Sequence, residues 1–251
     1  MYEVEIKNLS KSFDEMVVLD EVSLNINEGE NVVVFGKSGS GKSVLLKCIV
    51  RLMEPDSGDI LIEGQNVEKL SDKDLNELRK YIGFLFQSAA LYDSMSVREN
   101  LEFPLIRNFN FSSKEREKKI IDVLEKVSLS EAIDKMPAEL SGGMKKRIGL
   151  ARTIITKPRL ILYDEPTTGL DPITSKEISQ LIMELQKDLH TTSLVVTHDL
   201  ICARIIAKHA VVLKDGKIRY EGNLDKLTST DDPFLKDFFS NDILDVKNGR
   251  I

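Results

Sequence analysis

Residues 36–43 read Gly-Lys-Ser-Gly-Ser-Gly-Lys-Ser and fit the phosphate-loop pattern G-x-x-x-x-G-K-[ST]. The apolar stretch 32–35 precedes them and the helix-like stretch 44–49 follows, as that pattern requires. Glycines let backbone N–H groups approach an anion closely, and the following helix N-terminus adds positive partial charge. Lys42 is expected to reach the β- and γ-phosphates, and the Ser43 hydroxyl to ligate Mg²⁺. The predicted nucleotide-binding residues are Gly36, Lys37, Ser38, Gly39, Ser40, Gly41, Lys42 and Ser43.

A second stretch, residues 160–165, reads Leu-Ile-Leu-Tyr-Asp-Glu and supplies carboxylates. It is typical of a buried parallel strand that ends at the carboxyl edge of a sheet, where open α/β folds bind their ligands. We predict that Asp164 holds the Mg²⁺ and that Glu165 polarises the attacking water. The alternative is an acidic helix start. Pro166 and the later helix start at residues 171–172, Asp-Pro, argue against that alternative.

A third run, Leu-Ser-Gly-Gly-Met at residues 140–144, suits a helix N-terminus that faces an anion. It completes an ordered set made of Phe13, residues 36–43, Gln87, residues 140–144, Asp164, Glu165, Leu170, Asp171 and His198. In number, order and spacing, this set resembles that of the ATP-binding subunits of ABC (ATP-binding cassette) transporters, over nearly the whole chain. The resemblance implies an α/β P-loop NTPase fold with a RecA-like core, an antiparallel β subdomain and an inserted α-helical subdomain.

The resemblance also implies ligands and partners. ATP and Mg²⁺ are the cofactors, and two copies of the chain sandwich two ATP molecules head to tail. Ser141, Gly142 and Gly143 of one copy then contact the nucleotide held by the other. Asp171 crosses the same interface, while a simpler role as a helix N-cap stays open. An integral membrane permease is the second partner, accompanied by substrate-binding lipid-carrier and small regulatory subunits.

Within the site, the resemblance assigns roles to three further residues. Gln87 meets Mg²⁺ or the attacking water with its amide. His198 hydrogen-bonds the γ-phosphate and orients Glu165, whereas a histidine at a strand end is often passive. Phe13 stacks on adenine, with a place in the core as the alternative.

Two positions depart from the commonest family pattern. Phe13 stands where tyrosine is usual, which removes a hydroxyl but keeps the π-face, and Met144 stands where glutamine usually ends the signature run. The Leu-Ser-Gly-Gly-Met run is similar to that of the MlaF-type cassettes of Mla/Mce lipid-transport systems. Residues 39–47, 91–100 and 164–174 resemble the same subfamily.

Composition excludes several classes of protein. The 251 residues carry a formal net charge of −6, so nothing indicates nucleic-acid binding, and the basic run 145–147 is interpreted as a solvated helix face. Cys48 and Cys202 lack metal-ligand spacing and are consistent with a reducing compartment. The chain shows no signal-peptide region and no apolar run of membrane-helix length. We therefore expect a cytoplasmic protein that is peripheral on the inner face of the cell membrane.

One ABC domain is predicted over residues 1–251. Residues 1–86 and 157–222 form the RecA-like core with its antiparallel β part, residues 87–156 the helical subdomain with the signature, and residues 223–251 a C-terminal tail. Two capping boxes, at residues 96–99 and 112–115, mark helix starts in the helical subdomain. The residues expected on one face of the second of these helices are Ile120, Ile121, Leu124 and Val127.

Further elements follow from local pattern. Residues 171–189 are predicted to form a helix, and residues 210–220 a hairpin that turns at Asp215-Gly216. The expected buried face of this helix consists of Ile178, Leu181, Ile182, Leu185 and Leu189. The tail, with Phe234, Phe238 and Phe239, either extends as a short helix to a partner or packs on its own domain.

The segment after Gln87 is predicted to carry motion to the permease. In the resembled family this face receives a coupling helix, and the side chains that either line it or belong to the core are Leu91, Tyr92, Met95, Val97 and Leu101. The interpretation of the whole chain is an ATP-hydrolysing motor that dimerises on Mg-ATP and drives a permease for phospholipid or a related lipid. The alternatives are a non-transport ABC switch of the iron–sulfur assembly or cell-division type, and a transporter of another substrate. A nucleic-acid-associated ABC ATPase fits less well, because coiled-coil insertions and a second cassette are lacking.

Overall fold

The elements alternate between strand and helix along most of the chain. The structure is a computed structural model that describes residues 2–239. Its strands are β1 (Tyr2–Phe13), β2 (Met16–Asn27), β3 (Asn31–Phe35), β4 (Ser57–Ile62), β5 (Gln65–Asn66), β6 (Ile82–Leu85), β7 (Leu160–Asp164), β8 (Thr192–Thr197), β9 (His209–Lys214) and β10 (Lys217–Asn223). Its α-helices are α1 (Lys42–Ile49), α2 (Asp72–Arg79), α3 (Val97–Asn108), α4 (Ser113–Lys126), α5 (Gly142–Ile154), α6 (Pro172–Leu189), α7 (Leu200–Ile206) and α8 (Leu224–Thr228), followed by a helix over residues 233–239.

The central sheet has six strands in the order β10-β9-β3-β8-β7-β6. All its pairs are parallel except β9 with β10. The inner parallel strands are buried on both faces, so successive residues enter opposite cores: Val33 belongs to one hydrophobic cluster and Val32 and Val34 to the other. Because the strands run the same way, the ends of β3, β6, β7 and β8 meet at one edge, where the predicted site residues follow them.

A second, antiparallel sheet has the order β2-β1-β4-β5. Strand β2 alternates between buried and exposed residues from Glu21 to Asn27, as expected for a strand with one solvated face. Its buried side chains include Val22, Leu24 and Ile26. The predicted fold class, a P-loop core with an antiparallel β subdomain and an inserted helical block, is confirmed.

The helical block consists of α3, α4 and α5, which lie between β6 and β7 in the chain. Both predicted capping boxes are present: Ser96 with Glu99 begins α3, and Ser112 with Glu115 begins α4. The predicted buried face of α4 is wrong at one residue, since Ile121 is 42% exposed while its three companions are buried. Ile121 follows Ile120 directly and so points about 100° away from it. The exact subdomain boundaries given above stay a prediction.

The C-terminal part of the described chain packs on its own domain. The predicted hairpin is formed by β9 and β10, with Asp215 at φ 51° and Gly216 at φ 74° in the turn. Phe239 is buried, and its ring centroid lies 5.3 Å from that of Phe35 at the end of β3. Of the two alternatives for the tail, packing on its own domain is therefore the correct one for Phe234, Phe238 and Phe239. The part of the predicted tail over residues 240–251 lies outside the described residues.

Two further expectations concern membrane spans and cysteines. Between residues 2 and 239, no helix is long and apolar enough to cross a membrane.

Cys48 and Cys202 are both buried free thiols. Burial raises the pKa of Cys48 to about 11 and that of Cys202 to about 12. Both thiols therefore stay protonated and serve the core as small apolar side chains.

Candidate active site

A cleft of about 660 Å³ lies at the carboxyl edge of the central sheet. Its volume is in the range of small-molecule sites. It is lined by Phe13, Met16, Val18, residues 37–44, Gln87, Glu165, Thr168 and His198. Phe13 is 39% exposed at the rim of this cleft, so the alternative of a core residue is wrong. The structure thus brings the predicted phosphate loop, the predicted base and three more predicted residues to one place.

The phosphate loop needs glycine at two of its positions for steric reasons. A Cβ on Gly36 would lie 2.8 Å from the Leu213 carbonyl oxygen, and one on Gly41 would lie 2.8 Å from that of Val18. Gly41 also has φ 98° and directly precedes the first residue of α1. The Ser40 hydroxyl in this loop is buried and has no hydrogen-bond partner among residues 2–239. A buried unpaired hydroxyl beside a helix N-terminus suits an anionic ligand.

Lys42 is buried at the floor of the cleft. Its Nζ donates to the Gly36 carbonyl at 2.8 Å and to the Lys37 carbonyl at 3.3 Å. The same nitrogen lies 3.4 Å from Oε1 of Glu165, whose side chain is also nearly buried. The cation therefore lies between the loop carbonyls and the Glu165 carboxylate, at the base of the phosphate loop.

Asp164 and Ser43 meet beneath the loop. The Ser43 hydroxyl donates to Oδ1 of Asp164 at 2.7 Å, joining the start of α1 to the end of β7. Burial raises the pKa of Asp164, and the neighbouring Glu165 adds to this, while the Ser43 hydrogen bond opposes it. A cation beside this carboxylate would relieve the cost of burying its charge. Hydroxyl and carboxylate oxygens are the donors that Mg²⁺ prefers, so these two residues fit that ion.

Glu165 has an unusual backbone conformation. Its φ is 48°, in the left-handed region that a non-glycine residue rarely adopts, and its N–H donates to the Val196 carbonyl at 2.9 Å. Its Oε2 lies 2.9 Å from Nδ1 of His198 and accepts a hydrogen bond from the Thr168 hydroxyl at 3.3 Å. The carboxylate is thus held by three side chains in a fixed position facing the cleft.

Other predicted site residues lie away from this cleft. Ser141 is the N-cap of α5 and accepts from the Met144 N–H at 3.2 Å, as its predicted capping role requires. A Cβ on Gly143 would lie 2.8 Å from the Thr174 methyl group, and one on Gly142 would lie 3.6 Å from Leu170. These residues therefore pack against the start of α6 and do not reach the nucleotide cleft of their own chain.

Asp171 is the N-cap of α6. It accepts hydrogen bonds from the N–H groups of Ile173 and Thr174 at 3.1 and 3.0 Å. The capping role that was left open is therefore present. Its predicted crossing of a dimer interface stays a prediction.

The basic run 145–147 contains a residue whose environment was predicted wrongly. Lys146 is only 5% exposed, and its Nζ donates to the Gln87 carbonyl at 2.5 Å and the Glu165 carbonyl at 3.2 Å. Burial lowers the pKa of Lys146 to about 8, although the carboxylates of Glu165 and Asp164 act in the opposite direction. No local pattern separates this lysine from its neighbours, since its acceptors come from distant parts of the chain.

A second cleft, of about 430 Å³, lies beside the segment that follows Gln87. We call it the docking groove, and its most exposed apolar lining residues are Tyr92 and Phe103, 45% and 39% exposed with ring centroids 5.1 Å apart. Of the predicted lining residues, Val97 and Leu101 are instead fully buried in the core. Phe103 was missed because it lies two residues beyond Leu101, the last residue considered.

Asn100 was also missed, and it fixes the shape of the docking groove. Its fully buried amide accepts from the Tyr92 N–H at 2.8 Å and lies 3.1, 2.9 and 3.0 Å from the carbonyl oxygens of Tyr92, Met95 and Ser96. One side chain thus ties together the backbone of the loop from Tyr92 to Ser96. The sequence shows only an asparagine four residues after the N-cap Ser96, and it does not show that this side chain is buried or which loop it bonds.

Comparisons with known proteins agree with this geometry. A family model described as ABC transporter matches residues 19–168. The chain is 38% identical over 237 residues to the "Probable ribonucleotide transport ATP-binding protein mkl" of Mycobacterium leprae, covering 94% of this chain and 68% of that protein. It is 39% identical over 229 residues to the "Intermembrane phospholipid transport system ATP-binding protein MlaF" of Haemophilus influenzae, covering 91% and 87%.

A solved structure is similar over most of the chain as well. It is the dimeric, post-hydrolysis state of the ATP-binding cassette MJ0796 bound to ADP and Pi, with a TM-score of 0.81 at 37% identity. The likeness covers 88% of this chain and 98% of that one. The names of the two relatives above refer to different substrates, ribonucleotide and phospholipid. Sequence similarity at this level therefore does not distinguish between substrate classes.

Proposed function

The chain belongs to the ABC transporter family as an ATP-binding subunit that hydrolyses ATP, and from this premise we propose that it drives a membrane permease that moves phospholipid or a related lipid. The observation that carries the ATPase part is the convergence of Lys42, the Ser43–Asp164 pair and the Glu165–His198 pair on one cleft. These are the groups that phosphoryl transfer to water requires: a phosphate-binding cation, a metal site and a base.

Nucleotide binding begins at the phosphate loop. The triphosphate lies against the backbone N–H groups of residues 37–43 and the N-terminus of α1, with Phe13 stacked on adenine at the rim. Lys42, buried at the floor of the cleft, is the cation placed to meet the β- and γ-phosphates.

Ser43 and Asp164 are the residues that would hold Mg²⁺, and Gln87, which lines the same cleft, is the further candidate ligand. When bound, the ion neutralises negative charge on the phosphate oxygens. Asp164 can take this role because it is already placed by the Ser43 hydroxyl and by its position at the end of β7.

Hydrolysis proceeds with Glu165 as general base. Glu165 accepts a proton from water as the water oxygen bonds to the γ-phosphorus, and the bond to the β–γ bridging oxygen breaks to release ADP. His198 and Thr168 hold Oε2 of Glu165 in position. The side chain of His198 is largely exposed to the cleft, so it can also donate to the γ-phosphate.

A second copy of the chain completes the site. Ser141, Gly142 and Gly143 lie away from the nucleotide cleft of their own chain, at the N-terminus of α5. That helix end carries positive partial charge and suits the γ-phosphate held by a partner copy. The dimeric state of the similar MJ0796 cassette supports this arrangement.

The docking groove is the proposed contact with the permease. Tyr92 and Phe103 form an exposed aromatic pair that a short amphipathic helix can bury. Through that contact the chain would lie at the inner face of the cell membrane. Phe86 and Ala90, on either side of Gln87 in the chain, both line the groove, so movement of Gln87 on ATP binding can reach it directly.

Lipid as the substrate rests on the 39% identity to MlaF over 87% of that protein. The similarity to mkl, whose name refers to ribonucleotide transport, favours a transporter of another substrate as the second candidate. Lipid-carrier and small regulatory subunits belong to the first candidate.

Co-purification with native neighbours tests the proposal. Membranes from cells that express the tagged chain are extracted gently, the chain is captured, and its proteins and lipids are identified by mass spectrometry. A multi-spanning protein with bound phospholipid is the expected result, and it should be lost with a Tyr92→Ala, Phe103→Ala variant but kept with Tyr81→Ala, an exposed aromatic outside the groove. Capture of a soluble partner without a membrane protein would instead favour the non-transport switch.

A further inference from the structure

One face of helix α5 is bonded to the segment that follows β6. Lys146 donates to the Gln87 carbonyl at 2.5 Å, and six residues later Arg152 donates to the carbonyls of Ala89 and Ala90 at 2.8 and 2.9 Å. Three carbonyl acceptors within residues 87–90 are thus held by two cationic side chains of one helix. Charge-assisted hydrogen bonds of this kind are stronger than neutral ones.

The same stretch is packed against the helix without free space. A Cβ on Gly149, which lies between the two cations on α5, would be 2.9 Å from the Ala89 methyl group. Ala89 and Ala90 have φ of 61° and 48°, in the left-handed region that alanine seldom adopts. Such backbone persists only where its surroundings hold it. The conformation of residues 87–90 is therefore imposed by α5.

Lys146 has a second acceptor that Arg152 lacks. Its Nζ also donates to the carbonyl of Glu165, the proposed base, at 3.2 Å. The ammonium is buried, and a buried charge is retained only where its hydrogen bonds are satisfied. Gln87 and Glu165 follow different strands, β6 and β7, and Lys146 joins them to the helix whose N-terminus carries Ser141.

We propose that Lys146 is a positioning residue for ATP hydrolysis, which sets the placement of Gln87 and Glu165 relative to helix α5. This inference rests on the proposed roles of those two residues. Within one copy of the chain, Lys146 then links the N-terminus of α5, which is offered to the nucleotide of the partner copy, to Glu165, which acts on the nucleotide bound by the same copy. Displacement of α5 then displaces the Glu165 backbone, whose left-handed φ leaves little freedom for independent adjustment.

The substitution that tests this inference is Lys146→Met, which keeps the length of the side chain and removes the donors. We expect kcat for ATP to fall by about 10- to 100-fold, since misplacement of a reacting group by about 1 Å can cost that much. The Kd for ATP should stay within about threefold of the wild-type value, because Lys146 lies outside the cleft lining. Lys146→Arg, which keeps a cationic donor, should recover part of kcat.

Lys145→Met is the matched control, since Lys145 is the preceding lysine of the same helix and bonds neither Gln87 nor Glu165. It should retain the wild-type kcat. Should Lys146→Met not fold, Lys146→Gln, whose side chain is shorter and uncharged although its amide still has N–H donors, is measured in its place, and its kcat should also fall below that of Lys146→Arg. A wild-type kcat in the Lys146 variants would overturn the inference, as would a loss of kcat that Lys146→Arg does not recover at all.

Failure of the proposed function gives a different result. If Glu165→Gln hydrolyses ATP at the wild-type rate, the assignment of the base is wrong and the inference falls with it. If Glu165→Gln is slow while Lys146→Met is not, only the inference fails. The two outcomes are thus separated by measuring both variants in one assay.

Discussion

Replacement of Asn100 by alanine is expected to loosen the docking groove while leaving the nucleotide cleft in place. The Asn100 side chain is fully buried at the start of α3 and bonds only backbone of the loop from Tyr92 to Ser96. Alanine removes all of these bonds and adds no strain, because it is a good helix former. The loop that carries Tyr92 then loses its internal support.

The size of the effect follows from the hydrogen bonds that the amide can make at once. It has two N–H hydrogens for three carbonyl oxygens, and one oxygen that accepts from the Tyr92 N–H, so three full bonds are made. At about 1 kcal/mol each, the loss is about 3 kcal/mol. For a domain of this size, 3 kcal/mol corresponds to a fall in Tm of roughly 6 to 12 °C.

Thermal unfolding followed by circular dichroism measures this fall, and hydrogen exchange at the Tyr92 amide reports on the loop itself. Asn110→Ala is the control, because Asn110 is exposed just after α3 and its loss should cost under about 0.5 kcal/mol. ATP binding should be retained by both variants, whereas co-purification of the permease should be weakened only by Asn100→Ala. A Tm within about 2 °C of the wild type, together with unchanged exchange at Tyr92, would refute the reasoning.

Three further substitutions test the nucleotide cleft and the partner copy. Glu165→Gln should keep ATP binding, slow hydrolysis by about 10²-fold or more and accumulate an ATP-bound dimer, because the base is lost while the phosphate contacts remain. Steady-state turnover measures the rate and gel filtration measures the dimer. The control Glu184→Gln, on the exposed face of α6, should change neither quantity. Lys42→Ala should weaken ATP binding by about 10- to 100-fold, the value of a charge-assisted hydrogen bond to phosphate; an unaltered Kd in equilibrium dialysis would contradict the phosphate-loop assignment. Ser141→Arg should abolish hydrolysis and leave ATP binding by the single copy intact, since Ser141 lies outside its own cleft; loss of both activities together would show that its effect arises within one chain.

Local sequence patterns predicted much of the fold because the interactions that they report are themselves local. Capping boxes at Ser96 and Ser112, the N-caps at Ser141 and Asp171, and the turn at Asp215 each involve groups within a few residues of one another. An apolar strand followed directly by polar residues is also a local pattern, and it predicted that the site residues lie at the carboxyl edge of the sheet. The direction of parallel strands then brings these residues together without any further information.

The sequence decided least where a side chain meets a distant partner. Ile121 was assigned to a buried face although it points away from it. For Val97 and Leu101 both the groove and the core were left open, and the structure places both residues in the core. In each case hydrophobicity alone cannot tell which of two adjacent faces the rest of the fold covers.

By itself, the sequence determined the family, the order of the functional motifs and the identity of the groups that can bind a phosphate, hold a cation and accept a proton. Only the tertiary structure decided that Lys146 is buried and bonded to Gln87, 59 residues away, and that Asn100 supports the loop carrying Tyr92. The physical reason is that a residue type states which bonds a side chain can make. Which bonds it does make depends on the backbone that packing brings within about 3 Å of it.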